Sequence, residues 1–175
     1  MVHGAIKQFI TDVEWGELDY LVVDLPPGTG DPPLTLAQTV GVTGAVIVTT
    51  PQPVALGDAM RAAQMYRKLG IHVLGVVENM SYFVCPDCKA EHDIFGRGGA
   101  RYAAQGAKLP LLGEIPINLA MRVNTDGGDA EDDFEEAQNP TIAKALTEMV
   151  ENVAEQVRIR NETQPPAEPI QVGKK

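Results

Sequence analysis

The sequence predicts an α/β fold, a mostly parallel sheet with flanking helices. Three observations carry this. Apolar runs of strand length are rich in Val, Leu and Ile and do not alternate, as strands buried on both faces do. Helix-like stretches separate them. With 175 residues, 44% of them hydrophobic, the chain can bury one core.

Taken in order, the chain opens on an amphipathic stretch with Ala5, Ile6, Phe9, Ile10 and Val13. The first strand is expected at Tyr20–Asp24, followed by a short helix over Leu34–Val40. A second strand, Ala45–Thr50, leads to the clearest helix, Pro53–Leu69, which Gly70 stops. The third strand is Val73–Val77. An irregular Ser-Tyr-Phe-Val segment, an Ala-rich helix over Gly99–Leu109 and a fourth strand at Leu111–Ile115 follow. The last helix, Thr141–Arg158, has Ile142, Leu146, Met149, Val150 and Val153 on one face. The domain is expected to occupy residues 1–160, with the Pro- and Glu-rich residues 161–175 as a disordered tail. Four strands make a small sheet, and one edge is expected to lack its neighbour, so the chain reads as part of a larger fold.

Composition narrows the function classes. A net charge of −10 argues against nucleic acid and anionic membrane as partners. Much of that charge lies in a run, Asp126–Glu136, expected to be a solvated loop. The two cysteines are three residues apart, which is no disulfide framework. Neither a signal-peptide pattern nor a run long enough to span a bilayer is present, so a cytoplasmic setting is expected.

Two motifs carry chemistry. In VVDLPPGTGD, Asp24 closes an apolar strand, where nucleotide hydrolases place an acid that holds Mg²⁺. Gly28 and Gly30 let backbone N–H groups approach a phosphate, and the paired prolines limit what the loop can adopt. The second motif is Cys85-Pro86-Asp87-Cys88. Two thiolates at this spacing bind one metal together, whereas a [4Fe–4S] cluster or structural zinc takes four ligands. A symmetric dimer, two cysteines from each chain, satisfies that arithmetic. Three other uses stay open: a redox dithiol, a zinc site completed by His92 and a partner ligand, or two inert thiols. Gly96-Arg97-Gly98-Gly99 reads as a helix-start loop, and Arg61 and Arg67 as solvent-facing. Trp15 and Met60 are expected in core or interface, and His72 as packing beside a strand.

In this order, VVDLPPGTGD, VTTPQPVALGDAMRA, VVENMSYFVCPDC, HDIFGRGGA and LLGEIPI resemble the Mrp/ApbC family. Its members are deviant-Walker P-loop ATPases that carry iron–sulfur clusters, relatives of MinD and the nitrogenase iron protein. The resemblance implies a P-loop NTPase fold, here without the first strand and its phosphate loop. It implies Asp24 as the Walker B acid on Mg²⁺ and Gly28 as an N–H donor near the γ-phosphate of ATP. Asn79 would bond the adenine edge, and Pro116 and Ile117 would flank the base. Cys85 and Cys88 would bridge a labile [4Fe–4S] cluster across a homodimer. Apo iron–sulfur proteins would be the acceptors and scaffold proteins the donors. The family's GKGGVGKS-type loop is not in this sequence, so the chain alone is expected not to hydrolyse ATP. The contrasting expectation is a non-enzymatic metal-binding or scaffold subunit.

Overall fold

The computed structural model describes residues 2–26, 30–118, 121, 126–127 and 140–170, without the side chains of residues 2 and 3. The elements, in chain order, are α1 (Val2–Thr11), α2 (Asp31–Thr39), β1 (Ala45–Thr49), α3 (Pro53–Lys68), β2 (Val73–Val84), β3 (Glu91–His92), α4 (Gly99–Ala107), β4 (Leu111–Ile117) and α5 (Pro140–Thr163). Prolines in the first turns of α2 and α3 lack the N–H that a helix start leaves unpaired anyway. Gly70, at φ +76, ends α3 in the left-handed conformation glycine adopts without strain.

β2 is the central strand. It pairs in parallel with β1 on one side and with β4 on the other. Successive residues of a strand face opposite ways, so Val76 and Val77 go to different faces, while an irregularity opposite Ala45 and Val46 puts Val73 on the same side as Val76. Val73 and Val76 join Ile47, Ala59, Ala63, Ala100 and Ala104 in a cluster under α3 and α4. Val77 joins Leu112, Ile115, Ile142 and Leu146 under α5. Helices thus cover both faces of the central strand, which is why it reads as a continuous apolar run, whereas Val48 on β1 is 61% exposed.

β2 runs seven residues past its expected end, and the segment expected to be irregular is strand. Its outer half pairs antiparallel with β3, Phe83 opposite His92 and Val84 opposite Glu91. The two halves meet at a bulge. Pairing with β4 jumps from Asn79↔Ile115 to Phe83↔Ile117, and Met80 between them is left-handed at φ +55.

Two expectations are corrected. Tyr20–Asp24 is not a strand: it pairs with no element among the described residues, and Val22 is 89% exposed. An apolar run becomes a strand only when another strand takes its N–H and C=O groups, and none is brought to it here. Trp15 is likewise exposed, its Nε1–H donating to the Phe9 carbonyl at 2.9 Å. The second correction concerns the tail expected to be disordered from Asn161. α5 continues to Thr163, and residues 164–170 return along the amino ends of the strands. Ile170 N–H donates to the Ala37 carbonyl at 2.8 Å, and Gln164 meets His72 Nδ1 at 3.1 Å. Ala167 lies so close to Gly41 that a Cβ there would overlap its carbonyl. Beneath this segment Arg160 is only 7% exposed. Its Nη1 donates to Asn161 Oδ1 at 3.2 Å, and its Nε has no partner. Residues 171–175 and most of the acidic run lie outside the described residues.

Candidate functional site

The cysteines occupy the tip of the β2–β3 hairpin, beyond the carboxyl ends of the parallel strands. The Cys85 N–H donates to the Ala90 carbonyl and the Lys89 N–H to the Cys85 carbonyl, each at 2.9 Å. Lys89, at φ +60, completes the reversal. Cys85 is half-buried, Cys88 exposed, and both thiols are free. The backbone N–H groups of Cys88 and Asp87, the Cys88 thiol and Lys89 together hold the Cys85 thiol below its ordinary value. They favour the thiolate, the form that binds metal.

Among the described residues, no three His, Cys, Asp or Glu side chains come together as a metal site. His92 turns instead to Phe83, its cross-strand partner, with ring centroids 6.4 Å apart. A zinc site made by His92 within one chain therefore has no support in this geometry. Two thiols at an exposed tip offer two ligands, where a [4Fe–4S] cluster or structural zinc takes four.

The residues expected on the nucleotide side divide. Asn79 ends the inner half of β2 opposite Ile115, with Pro116 and Ile117 next along at the carboxyl end of β4, the side on which a parallel α/β sheet receives ligands. Asn79 Oδ1 accepts the Met80 N–H at 2.8 Å, an arrangement that leaves its amide NH₂ able to donate outward. Asp24 does not join them: it is exposed in the unpaired segment rather than at a strand end. Gly28 lies outside the described residues.

One buried residue was missed from sequence. Glu78, next to Asn79, is 0% exposed. Its Oε1 accepts the Ser81 hydroxyl at 2.6 Å and the Gly98 N–H at 3.0 Å, and its Oε2 accepts the Ala100 N–H at 2.6 Å. A carboxylate thereby takes up N–H groups that the start of α4 leaves unpaired and faces the positive end of that helix. Gly98 is left-handed, at φ +77. A Cβ on Gly99 would come 2.8 Å from the Pro51 carbonyl. The glycines of the Gly96–Gly99 loop thus serve a tight helix start, as expected from the sequence. The available signal was a lone acid in a buried apolar strand, upstream of a loop rich in free N–H groups.

Arg97 in that loop stacks on the Tyr82 ring, 4.3 Å from its centroid, and pairs with Glu91 at 2.6 Å. Arg61 pairs with Asp58 at the surface, and Arg67 donates to the Ala107 carbonyl at 2.8 Å. No helix among the described residues is long and apolar enough to cross a membrane.

Comparison with known proteins agrees with this architecture. The ParA family description, NUBPL iron-transfer P-loop NTPase, matches residues 1–154. An iron–sulfur cluster carrier protein of Deinococcus radiodurans is 64% identical over 128 residues, 73% of this chain and 36% of its own length. A nucleotide-binding protein of Archaeoglobus fulgidus, solved in complex with ADP and with cobalt found in it, is 44% identical with a TM-score of 0.68. That match covers 75% of this chain and 54% of the solved one. The cell-division ATPase MinD of Pyrococcus furiosus shares the fold at 23% identity, with a TM-score of 0.62 over 88% of this chain and 57% of its own. The chain therefore spans between about a third and three-fifths of these proteins' lengths. A match over most of the sequence, on a parallel sheet with helices on both faces, shows that the chain belongs to the ParA family of NUBPL-type iron-transfer P-loop NTPases.

Proposed function

We propose that this chain is the cluster-bearing part of an ATP-dependent iron–sulfur cluster carrier. Two copies share one labile [4Fe–4S] cargo through Cys85 and Cys88 and pass it to apo iron–sulfur proteins. The observation that carries the reading is the exposed hairpin tip, where two thiols, one favoured as thiolate, stand with no third ligand group among the described residues. A site of two ligands per chain is completed by the same two from a symmetry mate. Exposure suits a cargo that is handed on.

Asn79, Pro116 and Ile117 form the base side of a nucleotide site, and Asp24 is the acid for Mg²⁺ in the longer protein. Gly28 donates toward the terminal phosphate. ATP binding and hydrolysis belong to that longer assembly, and this chain alone has negligible ATPase activity. Free, closely spaced cysteines fit the reducing cytoplasm.

The test is iron, acid-labile sulfide and zinc per chain after anaerobic reconstitution, with mass by light scattering, for wild type and a Cys85→Ala/Cys88→Ala variant. One [4Fe–4S] per dimer, lost with the cysteines, is expected. Zinc alone would refute the carrier reading and favour a structural metal site, and no metal in a folded monomer would refute it and favour a scaffold subunit.

A further inference from the structure

The hairpin that carries the thiols joins the sheet through a discontinuity. On the sheet side of the bulge, β2 is held by β1 and β4 up to Asn79. Beyond it, pairing resumes only at Phe83 and continues with the two-residue β3. The left-handed Met80 lies between. Such an interruption lets two halves of a strand change their relative direction at little cost.

One loop spans that interruption. Its near end is fixed on the sheet side, where Glu78 accepts the Gly98 and Ala100 N–H groups. Gly99 is seated against the Pro51 carbonyl at the end of β1. Its far contact is Arg97, which reaches both strands of the hairpin: the ring of Tyr82 on β2 and the carboxylate of Glu91 on β3. Asp93, at 4.0 Å, lies on the same side. The carboxylates of Glu91 and Asp93 favour the charged guanidinium and push its pKa up. A planar cation is suited to this double contact because it stacks by its face and bonds by its edge.

We propose that Arg97, anchored through Glu78, is a positioning residue that sets the direction of the Cys85–Cys88 turn relative to the sheet end bearing Asn79. Without Arg97 the hairpin is tied to the sheet across the bulge by the Phe83–Ile117 pairing and the Ser81–Glu78 bond, which hold its base and leave its tip room to swing. With Arg97 in place, the thiol-bearing turn and the nucleotide end move as one body. This inference rests on reading the turn as a metal site, so its test includes a readout that needs no metal.

In Arg97→Met, amide hydrogen exchange at Cys85 and Lys89 is expected to quicken on the order of tenfold, the combined scale of a cation–π contact and an exposed ion pair. The Val76 amide, bonded to the Pro110 carbonyl in the core, is expected to keep its rate. Co²⁺ alone, bound to the reduced chain and followed by thiolate–cobalt absorption, is expected to leave for a chelator faster by a similar factor. Tyr82→Phe retains wild-type behaviour, Tyr82→Leu reproduces the loss, and Arg97→Lys does not restore it. Unchanged exchange at Cys85 and Lys89 in Arg97→Met overturns the proposal. If exchange responds as expected while the wild type takes up no cobalt, the brace stands and the metal reading falls.

Discussion

Replacing Glu78 by glutamine keeps the shape of the side chain and removes its charge and one acceptor. The three donors that converge on the carboxylate cannot all be satisfied by an amide. With its oxygen toward Ser81 and Gly98, the new NH₂ faces the Ala100 N–H, donor against donor. Flipped, it serves Ala100 and Ser81 but abandons the Gly98 N–H. Either way a sequestered backbone donor loses its partner, which costs about 1–3 kcal/mol. Loss of negative charge at the start of α4 adds about 0.3–1 kcal/mol. Relief of burying an ion works the other way. It does not prevail, because among the described residues those backbone donors meet no acceptor other than this carboxylate. The net expectation is a loss of about 2 kcal/mol in urea unfolding followed by far-UV circular dichroism, out of a stability on the order of 5–15 kcal/mol. Amide exchange should localise the loss to Gly98 and Ala100. A change below about 0.5 kcal/mol, a scale typical of surface substitutions, would refute the assignment of Glu78 as the cap of α4.

Other expectations test other parts of the fold. Gly41→Ala would drive a methyl into the Ala167 carbonyl, so residues 164–170 should lift away and be cut faster by protease, with about 1–3 kcal/mol lost. Protection unchanged from wild type would show that the segment does not dock there. His72 has its pKa lowered from 6.5 by burial and then by Arg160 and Arg67. Below about pH 6.5 the unfolded chain takes up a proton that the folded one resists, so stability present above that pH is lost as pH falls toward the folded value. His72→Gln should flatten that acid limb of the unfolding midpoint between pH 7.5 and 5, and an unaltered limb would count against it. Asn152 Nδ2 donates to the Leu112 carbonyl of β4 at 2.9 Å. Asn152→Ala should cost about 1 kcal/mol in urea unfolding, and an unchanged midpoint would show that water replaces the bond freely.

What the sequence made legible follows from where the determining partners lie. The inner half of β2 is buried on both faces, and β1 and β4 pair with it in parallel, so their Val-, Leu- and Ile-rich composition announces them. α3 carries its own start in Pro53 and its own stop in Gly70. Tyr20–Asp24 has the same composition as those strands, yet composition cannot supply a neighbour. β3 exists only because Phe83 and Val84 lie opposite it, and two residues hold no pattern of their own. The cysteines were visible because spacing alone makes them a pair. Glu78 was hidden because its partners are backbone groups of a distant loop, which no side-chain motif records. The last turn of α5 was missed because Arg160, a residue that usually marks an exposed face, points inward.

That inward arginine gives the two ends of the molecule different responses to ionic strength. Arg160 lines a cleft of about 210 Å³ with Ala37 from the last turn of α2, Gly70 just past α3 and Gln164 just past α5. Three helix carboxyl ends, each with partial negative charge, thus converge around one guanidinium. Dissolved ions reach a charge that is 7% exposed poorly, so this attraction survives in salt. At the opposite end, Arg97 and Glu91 are open to solvent, and their attraction fades as counter-ions accumulate. Raising salt should therefore loosen the thiol-bearing tip while the base of the sheet stays closed, so that the end carrying Cys85 and Cys88 yields before the end held by Arg160.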